Sequence, residues 1–320
     1  MNGFSYRDGE LWAEGVALAD IAAAFGTPCY VYSRAALTAA YRAYDGAFGA
    51  RQHLLCYAAK ANSNLAILNL FARLGSGFDV VSGGELGRVL AAGGDARKTV
   101  FSGVGKTGQE MRDALDRDIL CFNVESESEL GRLERIAGEL GKRAPVSLRV
   151  NPDVDARTHP YISTGLKQDK FGVKFGDALQ LYRRAHSAQS LEVIGIDCHI
   201  GSQLTEAAPF LDAVQKLLEL VDRLADEGIG IRHLDLGGGL GIRYENESPP
   251  PPQCWVEKLL EVVGDRPQSI LLEPGRSLIG GAGVLLMRVE YLKYGEARNF
   301  AVVDAAMNDL IRPALYDAFH

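Results

Sequence analysis

The sequence lacks the features of membrane and secreted proteins. No apolar run in its 320 residues approaches the length of a transmembrane helix. The first ten residues are polar and charged, so no signal peptide is expected. The five cysteines are odd in number and widely spaced, without a Cys-x-x-Cys pair, which indicates neither a disulfide framework nor a zinc site. We therefore expect a cytoplasmic protein with reduced cysteines and no metal.

The chain also lacks a basic patch, an internal repeat and a low-complexity tail. Its net charge is −7 and its pI is near 5.5, and Lys and Arg do not cluster along any helix, so nucleic acid is not an expected partner. The remaining composition, 47% hydrophobic and 23% charged, is that of an ordinary globular protein. The length allows one large domain, or one large domain and one small.

The main feature that is present is an alternation of short apolar strands with amphipathic helices. The apolar runs are continuous, which is typical of parallel strands buried on both faces. We place strands at residues 53–60, 77–82, 99–103, 120–125, 146–151, 193–200, 231–236 and 269–273. This series predicts an α/β fold, a (β/α)8 TIM barrel. A doubly wound sheet is the alternative, but it would normally carry a phosphate loop after its first strand, and the sequence has none.

The two ends of the chain depart from this alternation. Strands are predicted there at residues 28–32, 283–291 and 299–304. We assign residues 34–276 to the barrel and the flanking segments, 1–33 and 277–320, to a second, truncated all-β domain built from both chain ends.

Three helices are expected to begin at capping boxes. In a capping box a hydroxyl and a glutamate reciprocally satisfy free N–H groups at the start of a helix. The predicted boxes are Ser82 with Glu85, Thr107 with Glu110, and Ser126 with Glu129. They place strand-to-helix junctions after the second, third and fourth strands.

Lys60 stands at the end of the nearly all-apolar first strand. Burial lowers the pKa of an ammonium group, so a lysine held in a partly desolvated place there would offer a neutral amine for imine chemistry. The alternative is a lysine that reaches solvent or pairs with a carboxylate.

Other polar residues lie at the strand ends, where barrel enzymes carry their chemistry. They are Asp79, Ser82, Ser102, Asn123, Glu125, Arg149, Asn151, His199, Ser202, Glu273 and Arg276. Each has a structural alternative, and for Asn123 and Asn151 we prefer it: a helix cap or a turn. Together with Lys60, however, they surround one mouth with an amine, an imidazole, two guanidinium groups and carboxylates.

A glycine run, residues 237–239, follows the seventh strand. Glycines let backbone N–H groups approach an anion closely, and the loops after strands seven and eight are the usual phosphate site of such barrels. The run could equally be a tight turn. Together with an imine-forming amine, and with Glu273 to keep a pyridine nitrogen protonated, it indicates pyridoxal 5'-phosphate. His199 could then stack on the ring.

Motifs over nearly the whole chain resemble the alanine-racemase-fold pyridoxal-phosphate decarboxylases. They occupy residues 57–62, 78–86, 199–203, 237–241 and 273–276. Residues 159–165 with 170–172, and residues 307–316, resemble the diaminopimelate branch of that family rather than the ornithine or arginine branch. The resemblance implies decarboxylation of meso-2,6-diaminopimelate to L-lysine and CO2, the last step of lysine biosynthesis.

The resemblance also implies residue roles at the matching positions. The catalytic residues would be Lys60, which forms the imine with the cofactor, and His199. The cofactor-binding residues would be Lys60, Asp79, Arg149, His199, Ser202, Gly238, Gly239, Glu273, Pro274, Gly275 and Arg276. Residues Arg276, Arg312 and Tyr316 would hold substrate carboxylates, a role that suits guanidinium groups.

Members of this family continue into a C-terminal β-domain. Its Cys-Glu-Ser-Gly-Asp motif and a later tyrosine contribute to the active site of a homodimer. Neither occurs here, so the resemblance implies a decarboxylase that lacks its C-terminal part. Three alternatives stay open: a cofactor-binding protein without decarboxylase activity, a decarboxylase of another basic amino acid, and a phosphate-binding barrel in which Lys60 is a plain base.

Overall fold

The computed structural model describes residues 3–154 and 170–320. The predicted motif at residues 159–165 therefore lies outside the described residues. The chain divides into two compact units. The smaller comprises Met1–Ala40, Arg243–Glu247 and Leu278–His320, and the larger comprises Tyr41–Ile242 and Ser248–Ser277.

The chain opens with an antiparallel sheet in the smaller unit that the sequence analysis did not predict. Its strands are β1 (Phe4–Arg7), β2 (Glu10–Ala13) and β3 (Val16–Ala17). Helix α1 (Leu18–Phe25), strand β4 (Cys29–Tyr32) and helix α2 (Arg34–Ala47) follow. Gly26 ends α1 with φ of 79°, a left-handed conformation that favours glycine.

In the described part of the larger unit, eight parallel strands form a closed barrel. They are β5 (His53–Ala58), β6 (Gly77–Val80), β7 (Thr99–Phe101), β8 (Cys121–Val124), β9 (Ala144–Asn151), β11 (Leu191–Asp197), β12 (His233–Asp235) and β13 (Ser269–Leu272), while the short β10 (Val173–Lys174) pairs with β9. Strand β13 pairs in parallel with β5, with Leu271 opposite Leu54, and this pairing closes the barrel. The predicted (β/α)8 fold is confirmed.

Helices cover the outside of the barrel. They are α3 (Leu65–Arg73), α4 (Gly83–Ala91), α5 (Gly108–Asp116), α6 (Glu127–Glu139), α7 (Phe175–Ser187), α8 (Ala208–Asp226) and α9 (Pro252–Val263). The short α10 (Arg276–Ile279) follows β13, and its residues are divided between the two units. Neighbouring helices pack through large apolar side chains; Phe210 of α8 stacks on Trp255 of α9 with ring centroids 4.6 Å apart. Within residues 3–154 and 170–320, no helix combines the length and apolar character needed to cross a membrane.

Of the three predicted capping boxes, one is complete. Thr107 and Glu110 bond reciprocally at the start of α5. Ser82 and Ser126 each accept the predicted backbone N–H at 3.2 Å, but the glutamate then accepts the N–H of the residue before the serine. The backbone explains the difference, because φ is −155° and −158° at the two serines but −79° at Thr107, which turns the N–H groups in different directions.

The end of the chain returns to antiparallel pairing in the smaller unit. Its elements are β14 (Gly283–Leu286), β15 (Val289–Lys293), β16 (Phe300–Val303) and the short helix α11 (Arg312–Tyr316). Strand β14 pairs with β4, with Val284 opposite Val31, and β15 pairs with β16. The expected pairing between strands of the two chain ends is thus present, and the predicted strand at 283–291 is two strands.

Candidate active site

Lys60 lies just beyond β5, in a single turn of 3-10 helix. Its Nζ donates a hydrogen bond of 2.9 Å to Oδ2 of Asp79, which is fully buried at β6, while about half of the Lys60 side chain (52%) is exposed. Burial acts to lower the pKa of Lys60, but the charges of Asp79 and Glu273 outweigh it and hold this pKa above its ordinary value. Of the two interpretations of Lys60, the neutral amine is therefore not the one observed in this structure. Pairing with a carboxylate, the alternative, is observed.

Glu273 follows β13 and is buried among polar groups. Its Oε1 accepts hydrogen bonds from Nδ2 of Asn123 at 3.4 Å and from Oγ of Ser102 at 3.5 Å. Burial, and then the charges of Asp235 and Asp79, hold the pKa of Glu273 well above its ordinary value. A cationic partner would favour its ionised form, and a protonated ring nitrogen is such a partner.

His199 lies just after β11, beside the glycine loop. The backbone N–H of Gly238 donates to Nδ1 of His199 at 3.2 Å, so Nδ1 is the unprotonated nitrogen. Burial, then the charges of Arg149 and Lys60, hold the pKa of His199 well below its ordinary value. The imidazole is therefore neutral at neutral pH. This is compatible with its predicted role of stacking on the cofactor ring.

The glycines of the predicted phosphate loops permit close packing of the loops themselves. A Cβ on Gly238 would lie 2.3 Å from the backbone oxygen of Glu273, and one on Gly239 would lie 2.6 Å from the backbone oxygen of Gly201. Pro274 accepts a backbone hydrogen bond of 3.2 Å from Ala58, which ties the β13 loop to β5. No side chain larger than hydrogen fits at Gly238 or Gly239 without moving a neighbouring loop.

Arg276 begins α10, immediately after the β13 loop. Its Nη1 donates to Oε1 of Gln203 at 3.1 Å, and Gln203 in turn contacts the loop after β12 through the backbone of Ile242. Ser202 lies beside Gln203 and is partly buried. The fold therefore brings the start of α10, the Ser202 loop and the glycine loop to the same mouth. Phosphate binding by these residues, as by Gly275, stays a prediction.

Arg149 lies on β9, facing the interior of the barrel. Its Nη1 donates to Oε1 of Glu125 at 3.3 Å, and its guanidinium group lies 5.0 Å from the ring centre of Phe171. Burial acts to lower the pKa of Arg149, but nearby carboxylates, Glu125 first, raise it. Arg149 is thus a buried ion-pair partner beneath the mouth, and its support of the cofactor stays a prediction.

The prediction of a cap or a turn was wrong for Asn123 and right for Asn151. Oδ1 of Asn151 accepts the N–H of Asp153 at 3.0 Å, which is a local turn. Asn123 is fully buried, and its Nδ2 donates to Ser102, Asp235 and Glu273. The amide lies inside the barrel because residue 123 faces inward on β8.

Sequence reasoning missed Asp197 and Asp235, two buried carboxyl groups on β11 and β12. Both are at most 2% exposed. The sequence does contain a pattern that could have indicated them: each is an aspartate flanked by apolar residues within a predicted strand. A carboxyl group in that position faces the inside of a barrel.

Arg312 and Tyr316, the remaining predicted substrate ligands, lie on α11 in the smaller unit. The guanidinium group of Arg312 lies over the ring of Tyr316 at 5.4 Å and over that of Tyr244 at 5.9 Å. These contacts orient the guanidinium group. Its predicted role toward a substrate carboxylate stays a prediction.

The residues at the barrel mouth fit pyridoxal phosphate. Lys60 supplies an amine, Glu273 supplies a buried carboxyl group, and Arg276 supplies a cation that is held by Gln203. Oδ1 of Asp79 is buried and has no hydrogen-bond partner among the described residues, so this side of the carboxylate can accept a further donor.

Comparison with known proteins agrees with this fit. Residues 34–280 match the family described as pyridoxal-dependent decarboxylase, pyridoxal binding domain. The whole chain is 64% identical to diaminopimelate decarboxylase of Pseudomonas aeruginosa, of which it spans 77%, and 61% identical to that of Vibrio cholerae, again over 77%. The chain belongs to the diaminopimelate decarboxylase family. The predicted family, its branch and its dependence on pyridoxal phosphate are confirmed.

Solved structures of the family have the same fold. The diaminopimelate decarboxylase of Helicobacter pylori, complexed with L-lysine, is 44% identical, with a TM-score of 0.92 over 95% of this chain and 76% of that one. The M. jannaschii enzyme, in co-complex with L-lysine, is 38% identical, with a TM-score of 0.94 over 100% of this chain and 77% of that one. The fold is therefore that of the diaminopimelate decarboxylases.

Proposed function

We propose that this chain binds pyridoxal phosphate at the barrel mouth and decarboxylates meso-2,6-diaminopimelate to L-lysine and CO2. The observation that carries the proposal is the Lys60–Asp79 pair at 2.9 Å, with Glu273 near enough to act on the same amine, in a chain 64% identical to a diaminopimelate decarboxylase. Pyridoxal phosphate needs an amine to form an imine with its aldehyde carbon and an acidic group to pair with its ring nitrogen. Both groups are present at this mouth.

Each residue of the mouth has a part in this proposal. When bound, pyridoxal phosphate supplies an electron sink for the pair released as the carbon–carbon bond breaks. Asp79 orients the Lys60 amine and keeps a proton available on Nζ, which can later be delivered to the product carbon. Glu273, buried and without a hydrogen-bonded cation in the structure described, is placed to hold a proton on the ring nitrogen.

His199 and the arginines position the other parts. The neutral imidazole of His199, fixed by the Gly238 N–H, offers a flat face that excludes water from one side of the ring. Arg276 would bind phosphate or carboxylate oxygens. Arg312 and Tyr316 would bind the second carboxylate, which distinguishes diaminopimelate from ornithine.

The cellular setting follows from the same proposal. The substrate is a small amino acid, and the five cysteines are all free thiols, which supports the expected cytoplasmic location.

The proposal also includes a homodimer, which the resemblance to the family implies. Light scattering at several protein concentrations tests the dimer, and cell fractionation tests the location.

Borohydride reduction of the protein with pyridoxal phosphate tests the cofactor site. Peptide mass spectrometry should find the pyridoxyl group on Lys60. The Lys60→Arg variant should lose the adduct, whereas Lys98→Arg, at an exposed lysine on the barrel exterior, should retain it. An adduct spread over surface lysines would contradict the proposed site.

Release of labelled CO2 tests the substrate. The chain should release CO2 from meso-diaminopimelate at least tenfold faster than from ornithine or arginine. Faster release from ornithine would contradict the assigned branch. An adduct on Lys60 without CO2 release from any of the three would support cofactor binding and contradict decarboxylation.

A further inference from the structure

The interior of this barrel contains a cluster of three carboxyl groups below the mouth. Asp197, Asp235 and Glu273 are all buried, and one carboxylate oxygen from each lies within 4.8 Å of those of the other two. The interiors of such barrels are usually filled by branched apolar side chains. Three negative charges this close in a buried site repel one another strongly, so the group must hold at least one proton.

The three carboxyl groups differ in their hydrogen bonds. Asp235 accepts two N–H donors, the backbone of Gly237 at 3.1 Å and Asn123 at 3.2 Å. Glu273 accepts longer bonds from Asn123 and Ser102. For the carboxyl group of Asp197 the described residues provide no donor, and its Oδ1 is buried without a partner.

The nearby cations are engaged elsewhere. Arg149 is the strand neighbour of Asp197 on β9, but its hydrogen bond goes to Glu125, and the ammonium of Lys60 bonds to Asp79. The other titratable groups coupled to the cluster are the carboxylates Asp79 and Glu125, the buried phenol of Tyr182, and the buried thiols Cys56, Cys121 and Cys198. Neither the thiols nor the phenol carries a positive charge that could stabilise a third carboxylate.

We propose that Asp197 is a positioning residue that holds a proton at neutral pH. As a carboxylic acid it adds a hydrogen-bond donor from within the cluster, beside those that Gly237, Asn123 and Ser102 already provide, and it spares Glu273 one adjacent negative charge. Glu273 can then be ionised when a cationic ring nitrogen is present. This last step rests on the proposed function, whereas the protonation of Asp197 rests on the cluster alone.

Burial supports this assignment. The pKa of Asp197 is held well above its ordinary value, first by burial and then by Glu273, although Arg149 opposes the shift. An aspartate that accepts no N–H bond lacks the usual means of stabilising its ionised form.

Infrared spectroscopy of the cofactor-free full chain tests the proton directly. Wild type at neutral pH should show a carboxylic-acid C=O band that shifts in D2O, and Asp197→Asn should remove one component of it. Glu129→Gln is the matched control, because that buried carboxylate is paired with Lys106 at 2.7 Å, and it should leave the band unchanged. Absence of the band in wild type, or an unchanged band in Asp197→Asn, would overturn the proposal.

A second pair of variants tests positioning. Asparagine is neutral and can donate a hydrogen bond. In Asp197→Asn the bound cofactor should therefore keep its wild-type absorbance spectrum, and the absorbance should change with pH at the same midpoint. Asp197→Leu, neutral without a donor, should shift that midpoint. Equal spectra and equal pH midpoints for the two variants would overturn the positioning role. A positive infrared result with no adduct on Lys60 would instead contradict the proposed function and leave the proton on Asp197 in place.

Discussion

At the scale of single residues, the mouth of the barrel is governed by pairs of opposite charge. Desolvation at the strand end would favour a neutral Lys60, yet Asp79 lies 2.9 Å away and raises its pKa. The outcome follows from magnitudes, since a close carboxylate outweighs the desolvation of a side chain that keeps about half its surface exposed (52%).

Removing the partner should therefore lower the pKa of Lys60. In Asp79→Asn the Lys60 amine should be more often neutral, and its reductive methylation by formaldehyde at pH 8 should be about tenfold faster for a pKa lowered by about one unit. Peptide mass spectrometry measures this rate without any cofactor. Asp118→Asn, which removes an exposed partner of Lys142 at 3.6 Å, is the control and should leave the Lys60 rate unchanged.

A methyl group at Gly238 should disturb the mouth. Its Cβ would lie 2.3 Å from the backbone oxygen of Glu273, so Gly238→Ala must displace the β13 loop. We expect the affinity for pyridoxal phosphate, measured by titration of absorbance, to fall by about tenfold or more, roughly 1.4 kcal/mol. Gly230→Ala, where a Cβ meets open space, should bind like wild type. Equal affinities for both variants would contradict this account of the loop.

At the scale of elements, a buried lysine joins two neighbouring strand–helix junctions, β7 to α5 and β8 to α6. Lys106, whose side chain is fully buried, donates to the backbone carbonyl oxygens of Gly103 after β7 and Asn123 on β8, and to the carboxylate of Glu129 at the start of α6. All three donors of the ammonium are thus used. The same glutamate accepts the N–H of Glu125, which links this junction to the Arg149 ion pair.

Breaking this pair should be costly. Lys106→Met leaves the Glu129 carboxyl group buried without its cation, and we expect a loss of about 3–5 kcal/mol in the free energy of unfolding. Lys142→Met, which removes a partly exposed pair, should cost about 1 kcal/mol or less. Urea denaturation measures both. Lys106→Met combined with Glu129→Gln should recover part of the loss, and no recovery would show that the cost is one of packing.

At the scale of the whole molecule, the barrel interior is unusually rich in titratable groups, so stability depends on pH. His233 on β12 is buried, and a Cβ on Gly195 would lie 2.1 Å from its Nε2, so the glycine makes room for the ring. Burial, with the charge of Arg232, lowers the pKa of His233 to about 4. The folded protein therefore holds this imidazole neutral in a range where the unfolded chain protonates it.

The direction of the pH effect follows. His233 contributes stability above the unfolded pKa of 6.5, and this contribution is lost as pH falls toward about 4. The shift corresponds to about 3 kcal/mol in the free energy of unfolding. The pKa of Asp235, raised to about 8 chiefly by burial, acts in the opposite direction, so we compare wild type with His233→Gln at each pH. The variant should lose less stability than wild type between pH 7 and pH 4.5; a parallel decline would contradict the role of His233.

The sequence was sufficient for the barrel and for most residues at its mouth. Continuous apolar runs and capping residues mark strand ends, and parallel strands bring those ends together, which is why Lys60, Asp79, Glu273 and His199 could be named in advance. It was not sufficient for β1–β3, because short, half-exposed strands carry little periodicity. It also misplaced Asn123, since an asparagine at a strand end is consistent with a cap as well as with an interior position.

By itself the sequence determined the order of strands and helices and the chemical groups available, because apolar patterning and residue type are local properties. The protonation states were decided only by the tertiary structure. The charge of Lys60 depends on Asp79 of the next strand, and the proton held among Asp197, Asp235 and Glu273 depends on three strands far apart in sequence. Electrostatic interactions act through space, and the distances that set them exist only once the barrel has closed.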